Sequence, residues 1–280
     1  MPSFKKLEHT GWTNKAQFYD SHFAAITKQA ISPLLDSVAP IAGNDLLDIC
    51  CGTGDLAAVA SDRGARVVGV DFAVPMVEAA RAKVSAASFS VGDAENLEFN
   101  DASFDTATCA FGLWHLGDPD AAIREAARVL RPGGAYAYTS WLPPQEGWDM
   151  FDLLTSAIRR HGSMDVDLPP APPPFRFADP DEGKSSLEAA GFTSAHVQKQ
   201  EAIWIGTSGD DLLELLYKGI VRAPMLIDAQ EPQARDAIKE DLRLGAEAMR
   251  ADGQIRMRWP YLLVTARRTD PAEPAVHGQG

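Results

Sequence analysis

The chain has 280 residues, 45% hydrophobic and 23% charged, with a formal net charge of -13, a globular composition of a length suited to one large domain or a domain with an elaborated lid. The negative balance argues against a general nucleic-acid binder, which needs a basic face, and no apolar run reaches the roughly 18 residues of a bilayer span. Residues 1–9 lack the apolar stretch of a signal peptide, and Cys50, Cys51 and Cys109 show no Cys-x-x-Cys spacing, so a cytoplasmic protein with reduced thiols and no metal is expected.

Residues 12–39 carry Ala16, Tyr19, Phe23, Ile26, Ala30, Leu34 and Leu35 at three- and four-residue spacings, the period of one helix face. Pro33 and Pro40 are expected to punctuate this stretch. Its aromatics either pack in the core or cover the glycine-bearing loop at 50–54, with Trp12 and Tyr19 the candidate cover residues.

Residues 46–60 organise the chain. Leu46, Leu47 and Ile49 form an apolar strand carrying Asp48, which breaks at Cys50-Cys51-Gly52-Thr53-Gly54 and re-enters an apolar pattern at Leu56, Ala57, Val59 and Ala60. This reads as strand, tight turn and helix. Glycine lets backbone approach a ligand where a Cβ would collide, and the helix turns its positive end toward that ligand. Asp48 would repel a phosphate and suits a cationic ligand.

Further strands are expected at 65–71, 88–94, 104–111 and 135–141, with helices at 75–84 and 121–130 between them. Strands alternating with helices predict right-handed crossovers and a parallel sheet covered on both faces. Ligands bind such sheets at the carboxyl ends of the strands. Asp48, Asp71 and Asp93 all fall at such ends, and three acids at successive strand ends make a site. Eight of the 19 prolines lie between Pro143 and Pro180, so this segment is no regular core element. Helices are expected at 148–160, 179–190, 210–221 and 233–249, and strands at 193–205 and 261–268, the last antiparallel; residues 269–280 read as a disordered tail.

Gly52-x-Gly54-x-x-Ala57 formally matches a dinucleotide fingerprint, with Asp71 placed for a ribose, but Asp48, Asp93 and the Arg131-Pro-Gly-Gly134 turn speak for a different ligand. Together, the Asp48-to-Gly54 loop, Val68-Gly-Val-Asp71, Val91-Gly-Asp93-Ala94 and Arg128-Val-Leu-Arg-Pro-Gly-Gly134 resemble a class I S-adenosylmethionine-dependent methyltransferase, in the style of the ubiquinone/menaquinone-biosynthesis-like (type 11) branch. The resemblance runs over residues 12–141, with Leu187 to Phe192 as a later echo. The family has Gly or Ala where this chain has Cys50, and the quinone enzymes resemble it poorly after Trp141.

The resemblance implies a Rossmann-like, doubly wound seven-stranded α/β sheet with its last strand antiparallel and helical lid insertions. It divides the chain into a helical lid (1–40), a cofactor core (41–141), insertions at 142–180 and 207–254, and the rest of the sheet at 181–206 and 255–268. It implies S-adenosylmethionine as donor and S-adenosylhomocysteine as product. Gly52 and Gly54 would pass against the methionine and ribose portions, Asp48 lie near the cationic end, and Asp71 accept both ribose hydroxyls. Asp93 and Ala94 would hold the adenine edge and Phe72 and Met76 flank it, with Cys50, Ala110 and Tyr19 completing the cofactor set. Each acid taken singly could instead be a solvated strand end or a helix cap.

His115 lies just past the fourth strand, where a transferred methyl should emerge. It is either a base for the acceptor or a group that bonds to backbone and shapes the pocket. Candidate acceptor-pocket residues are Trp12, His22, Trp114, Trp141, Trp148, Phe175, Phe177 and Tyr217, with Arg176 or Arg222 as anchor for an acidic group; ordinary packing or a dimer contact would also explain the aromatics. A small-molecule partner, no membrane span, and a monomer or homodimer are expected. Whether the nucleophile is oxygen, nitrogen or carbon is open, and a cyclase-like reaction, ligand binding alone and an NAD enzyme are the alternatives.

Overall fold

The computed structural model describes residues 3–269; the expected tail lies outside them but for Thr269. Strands β1 (Asp45–Ile49), β2 (Arg66–Asp71), β3 (Ser88–Val91), β4 (Phe104–Ala110) and β5 (Leu130–Trp141) pair in parallel. β8 (Gln254–Arg268) runs antiparallel between β5 and β6 (Phe192–Gly206), giving the order β3-β2-β1-β4-β5-β8-β6. This is the expected doubly wound sheet of seven strands, joined by a two-residue β7 (Arg250–Ala251) folded onto the start of β8.

The period-two alternation of strand side chains sorts the core into two faces. Leu46, Ala135, Ala137 and Leu263 face one side with α3 (Ile31–Ser37), α4 (Asp55–Asp62) and α5 (Val74–Lys83). Leu47, Ile49, Tyr136, Tyr138, Leu262 and Val264 face the other with α6 (Pro119–Val129) and α8 (Pro180–Ala189).

β6 and β8 outrun the sheet. Residues 255–260 of β8 pair with β6 but not β5, and the ribbon buries Ile255, Met257 and Trp259 while Arg256 and Arg258 stay outside. On its buried side sit α7 (Asp149–His161), α9 (Gly209–Glu214) and α11 (Pro232–Ala248). The Asp149 carboxylate accepts the Arg258 backbone N–H (2.7 Å) and pairs with its guanidinium (2.8 Å), fastening the start of α7 to the ribbon. Among the described residues no helix is long and apolar enough to cross a membrane.

Three expectations need correction. The first helix, α1, spans Phe4–His22 and therefore starts well before Trp12. The chain then breaks at Phe23, ahead of α2 (Ala24–Thr27), rather than at Pro33. Pro33 is the third residue of α3, where no backbone N–H is required, because the first four of a helix have no intrahelical acceptor. The expected helix at 210–221 is α9 followed by a π-turn, Leu215–Gly219, and a separate α10 (Arg222–Asp228) that takes Pro224 into its first turn.

Candidate functional site

β1 and β4 end on unusual backbone. Cys50, directly after β1, and Phe111, directly after β4, both have φ 59°, the left-handed region that bulky residues avoid and that gathers at functional sites. Surrounding contacts hold both in place. The Phe111 N–H donates to Thr139 Oγ1 at 3.0 Å, and its ring stacks on Trp141 with centroids 3.9 Å apart. Gly112 follows because a Cβ there would come 2.6 Å from Cys50 Cβ and 2.7 Å from Cys109 Sγ. The Cys50 thiol is held well above its ordinary pKa by its hydrogen bond with Cys109 and by burial, so it is a protonated spacer.

A cleft runs across these strand ends, lined by Cys50, Gly52, Asp71, Phe72, Met76, Ala110, Phe111 and His115 beneath Trp12 and Tyr19 of α1. Gly52 has φ +52°, and a Cβ built on it would meet no atom within 4 Å, so the space beside the loop is open. Asp71, at the end of β2, accepts the Gly52 N–H (3.0 Å) on one carboxylate oxygen and the Ala73 N–H (2.9 Å) on the other. Burial raises its pKa and these two bonds oppose the rise. Each oxygen keeps a lone pair, which is the donor demand of a vicinal diol. Past Phe72 the cleft narrows to a niche at Asp93 and Ala94. Over it lies Lys5 of α1, paired with Asp93 (2.5 Å) and Glu95 (2.7 Å). The main cleft measures about 60 Å³.

Asp48 and Gly54 do not line the cleft. Gly54, φ +84°, caps α4 and lets it approach Ala80 of α5, whose Cβ a side chain would meet at 3.1 Å. Asp48 is 1% exposed; one oxygen accepts from Thr108 Oγ1 at 3.2 Å and the other has no partner among the described residues. Burial raises its pKa to about 7, with Asp71 and Asp55 adding repulsion and the Thr108 bond opposing the rise. An unfolded aspartate releases its proton near pH ~3.9. Across the window from there to about 7 the folded chain holds more protons than the unfolded one, so this group's share of stability falls as pH rises. Asp48→Asn, neutral throughout, is therefore expected to gain on the wild type in Tm as pH rises across that window. Thermal melts in a buffer series measure this; two parallel Tm curves would count against it.

A second cavity, about 220 Å³, opens beside the cleft. It exceeds the ~150 Å³ that accommodates benzene in an engineered core. Trp114, Trp141, Trp148, Phe151 and Trp259 wall it together with α10 and the prolines Pro172 and Pro174. Trp12, Phe23 and His115 line both the cleft and the cavity. His115 therefore stands at the junction. Its Nδ1 lies 2.9 Å from Glu8 Oε2, and Glu8 is fully buried on α1. The ring meets Trp12 edge-on at 4.9 Å. A hydrogen bond donated by Nδ1–H to Glu8 would leave Nε2 as the nitrogen with the lone pair.

Of the candidate acceptor-pocket residues, Trp12, Trp114, Trp141, Trp148 and Arg222 line the cavity. The other five do not. Arg176 is engaged by Asp120, Glu182 and Ser186, and Phe177 is buried with Tyr138 on the opposite face of the sheet. The Tyr217 hydroxyl donates to Asp228, His22 faces Glu214, and Phe175 backs Trp114 from behind, 5.2 Å between centroids. The sequence reading missed Glu8, Lys5 and Phe23. The signal for Glu8 is the series Phe4, Glu8, Trp12, Ala16 at spacings of four, all buried on one face of α1, which sets an acid inside an apolar stripe.

The methyltransferase-domain family matches residues 47–138, which run from within β1 to within β5. Nocamycin O-methyltransferase of Saccharothrix syringae is 29% identical over 272 residues, covering 90% of this chain and 95% of that one. Demethylmenaquinone methyltransferase of Clavibacter sepedonicus is 31% identical over 175 residues, covering 56% of this chain and 69% of its own. The YcgJ protein of Bacillus subtilis shares the fold, with a TM-score of 0.55 at 20% identity over 86% of this chain and 99% of that one. The chain belongs to the class I S-adenosylmethionine-dependent methyltransferases.

Proposed function

We propose that the chain methylates an oxygen nucleophile on a small hydrophobic or aromatic molecule held in the cavity between β8, α7 and α10. The observation that carries this reading is His115, placed where cleft and cavity meet with its Nδ1 on a buried carboxylate. The choice of oxygen follows the relative whose match runs through the second half of the chain, an O-methyltransferase; the quinone-type relative covers 56% of the chain.

S-adenosylmethionine, when bound, supplies an electrophilic methyl group. Asp71 would hold its ribose hydroxyls, Asp93 and Ala94 its adenine edge once Lys5 swings away, and Phe72 and Met76 its faces. The Gly52 loop, Cys50, Ala110 and Tyr19 would complete that side, with Asp48 and Gly54 shaping the loop from beneath. His115 Nε2 would take the proton that the acceptor oxygen loses, while Glu8 holds the ring in place and balances the charge that develops. The aromatic walls exclude water and keep the acceptor in line with the methyl group. The acceptor side draws on residues 1–40, 142–180 and 207–254 together with Trp114, His115, Trp141 and Trp259, and the donor side on residues 41–141 together with Tyr19. The unpaired thiols suit a cytoplasmic setting, and the reading needs no more than a monomer.

Calorimetric titration tests the donor side: S-adenosylhomocysteine is expected to bind and NAD not to. On the acceptor side, mass spectrometry should find a phenolic or enolic acceptor heavier by one methylene. Binding of NAD alone, or a rearranged product without that gain, would defeat the reading.

A further inference from the structure

The cavity wall is unusual in its polar groups. Trp12, Trp114, Trp148 and Trp259 each have a buried indole N–H nitrogen with no partner among the described residues, and so does Arg222 at its guanidinium Nη1. Native interiors pair nearly all such groups, so five on one wall call for a common cause. All five are donors. Among the lining residues the titratable side chains are His115 and Arg222, with no Asp or Glu; behind His115, Glu8 gives Oε2 to its Nδ1 and keeps Oε1 without a partner among the described residues. Arg222, the first residue of α10, makes a cation–π contact with Phe4, 5.2 Å from the ring centroid, and no ion pair among the described residues. By contrast Arg176, the arginine beside α8, is engaged by Asp120, Glu182 and Ser186.

The guanidinium of Arg222, on the cavity lining with no carboxylate partner among the described residues, asks for negative charge. An ammonium would meet the Arg222 guanidinium with no Asp or Glu on the lining to balance it. Building on the methyltransferase reading, we infer that the acceptor molecule is an acid: a planar, apolar compound carrying a carboxylate or enolate that pairs with Arg222. The fork of an arginine matches the two oxygens of such a group. The tryptophan rings stack on its apolar body. The anion pairs with Arg222 and the reacting oxygen faces His115, so the group that anchors the molecule and the oxygen that loses a proton are separate.

The test uses naphthoate as probe, against its neutral methyl ester and against naphthylmethylamine, with the whole chain saturated by S-adenosylhomocysteine. Quenching of tryptophan fluorescence reports binding. Naphthoate is expected to bind at least about tenfold more tightly than the ester, and the amine more weakly still, tenfold being the step that ~1.4 kcal/mol confers. Arg222→Gln is expected to abolish the preference for the acid over the ester and Arg222→Lys to restore part of it, while the affinity for S-adenosylhomocysteine stays at the wild-type value. Equal binding of acid, ester and amine, or an acid preference that survives Arg222→Gln, overturns the assignment and leaves the methyltransferase reading standing. Failure of the wild type to bind S-adenosylhomocysteine removes that reading, and the assignment with it.

Discussion

His115→Ala is expected to lower kcat by roughly 10²–10⁴-fold, the range general-base catalysis contributes, while affinity for S-adenosylhomocysteine stays close to the wild-type value. The separation follows from where His115 stands. The cleft keeps Asp71, Phe72, Met76 and the Gly52 loop without it, whereas nothing else titratable on the cavity wall except Arg222 could receive a proton, and an arginine stays protonated. Glu8→Gln probes the same unit from behind. It keeps the shape and a hydrogen bond to Nδ1 but removes the charge that balances an imidazolium, so a smaller fall in kcat is expected, with KM little changed. Steady-state kinetics beside calorimetry read both variants. Should His115→Ala raise KM and leave kcat alone, the ring only shapes the cavity and the base assignment fails.

How much of this was legible in the sequence depends on how far apart the cooperating residues lie. The sheet was readable because each strand carries its own short apolar run, marked in the first three by an acid at or near the end, as in Val68-Gly-Val-Asp71. The strand-end residues that line the cleft, Gly52, Asp71, Phe72 and Met76, were readable for the same reason: each motif is local. Gly54 and Asp48 show the limit even there, since the motif names them and the fold uses one to bring α4 onto α5 and buries the other under Thr108. The acceptor side depends on contacts between distant segments. Arg176 and Arg222 look alike in sequence, and only the fold gives the first to Asp120 and leaves the second in the cavity. Glu8 escaped because a helix read as starting at Trp12 leaves it outside; Phe4 and Trp12, four residues to either side, would have marked it. The left-handed turn at Phe111 has no sequence signal, because what holds it is the stack on Trp141 and the bond to Thr139, both on β5.

Asp71→Ala carries the largest effect expected on the donor side. A hydrogen bond to a charged group contributes about 1.5–3 kcal/mol, and the carboxylate would accept two from the ribose. Losing both corresponds to roughly 10²–10⁴-fold in affinity at about 1.4 kcal/mol per decade. The same side chain supports the loop from within. Its two oxygens receive the Gly52 and Ala73 N–H groups, and leaving a buried donor unpaired costs about 1–3 kcal/mol each. A lower Tm is therefore expected even without ligand. Asp71→Asn separates the two roles. An amide oxygen can still accept from one of the two N–H groups, which should return part of the Tm. The amide nitrogen donates rather than accepts and cannot take the second hydroxyl, so affinity for S-adenosylhomocysteine should remain at least about tenfold below wild type. Titration calorimetry and melts of both variants decide it. Wild-type affinity in the folded Asp71→Asn protein would show that the ribose is held elsewhere, and the reading of the strand-end acids as the donor site would have to be redrawn around Asp93.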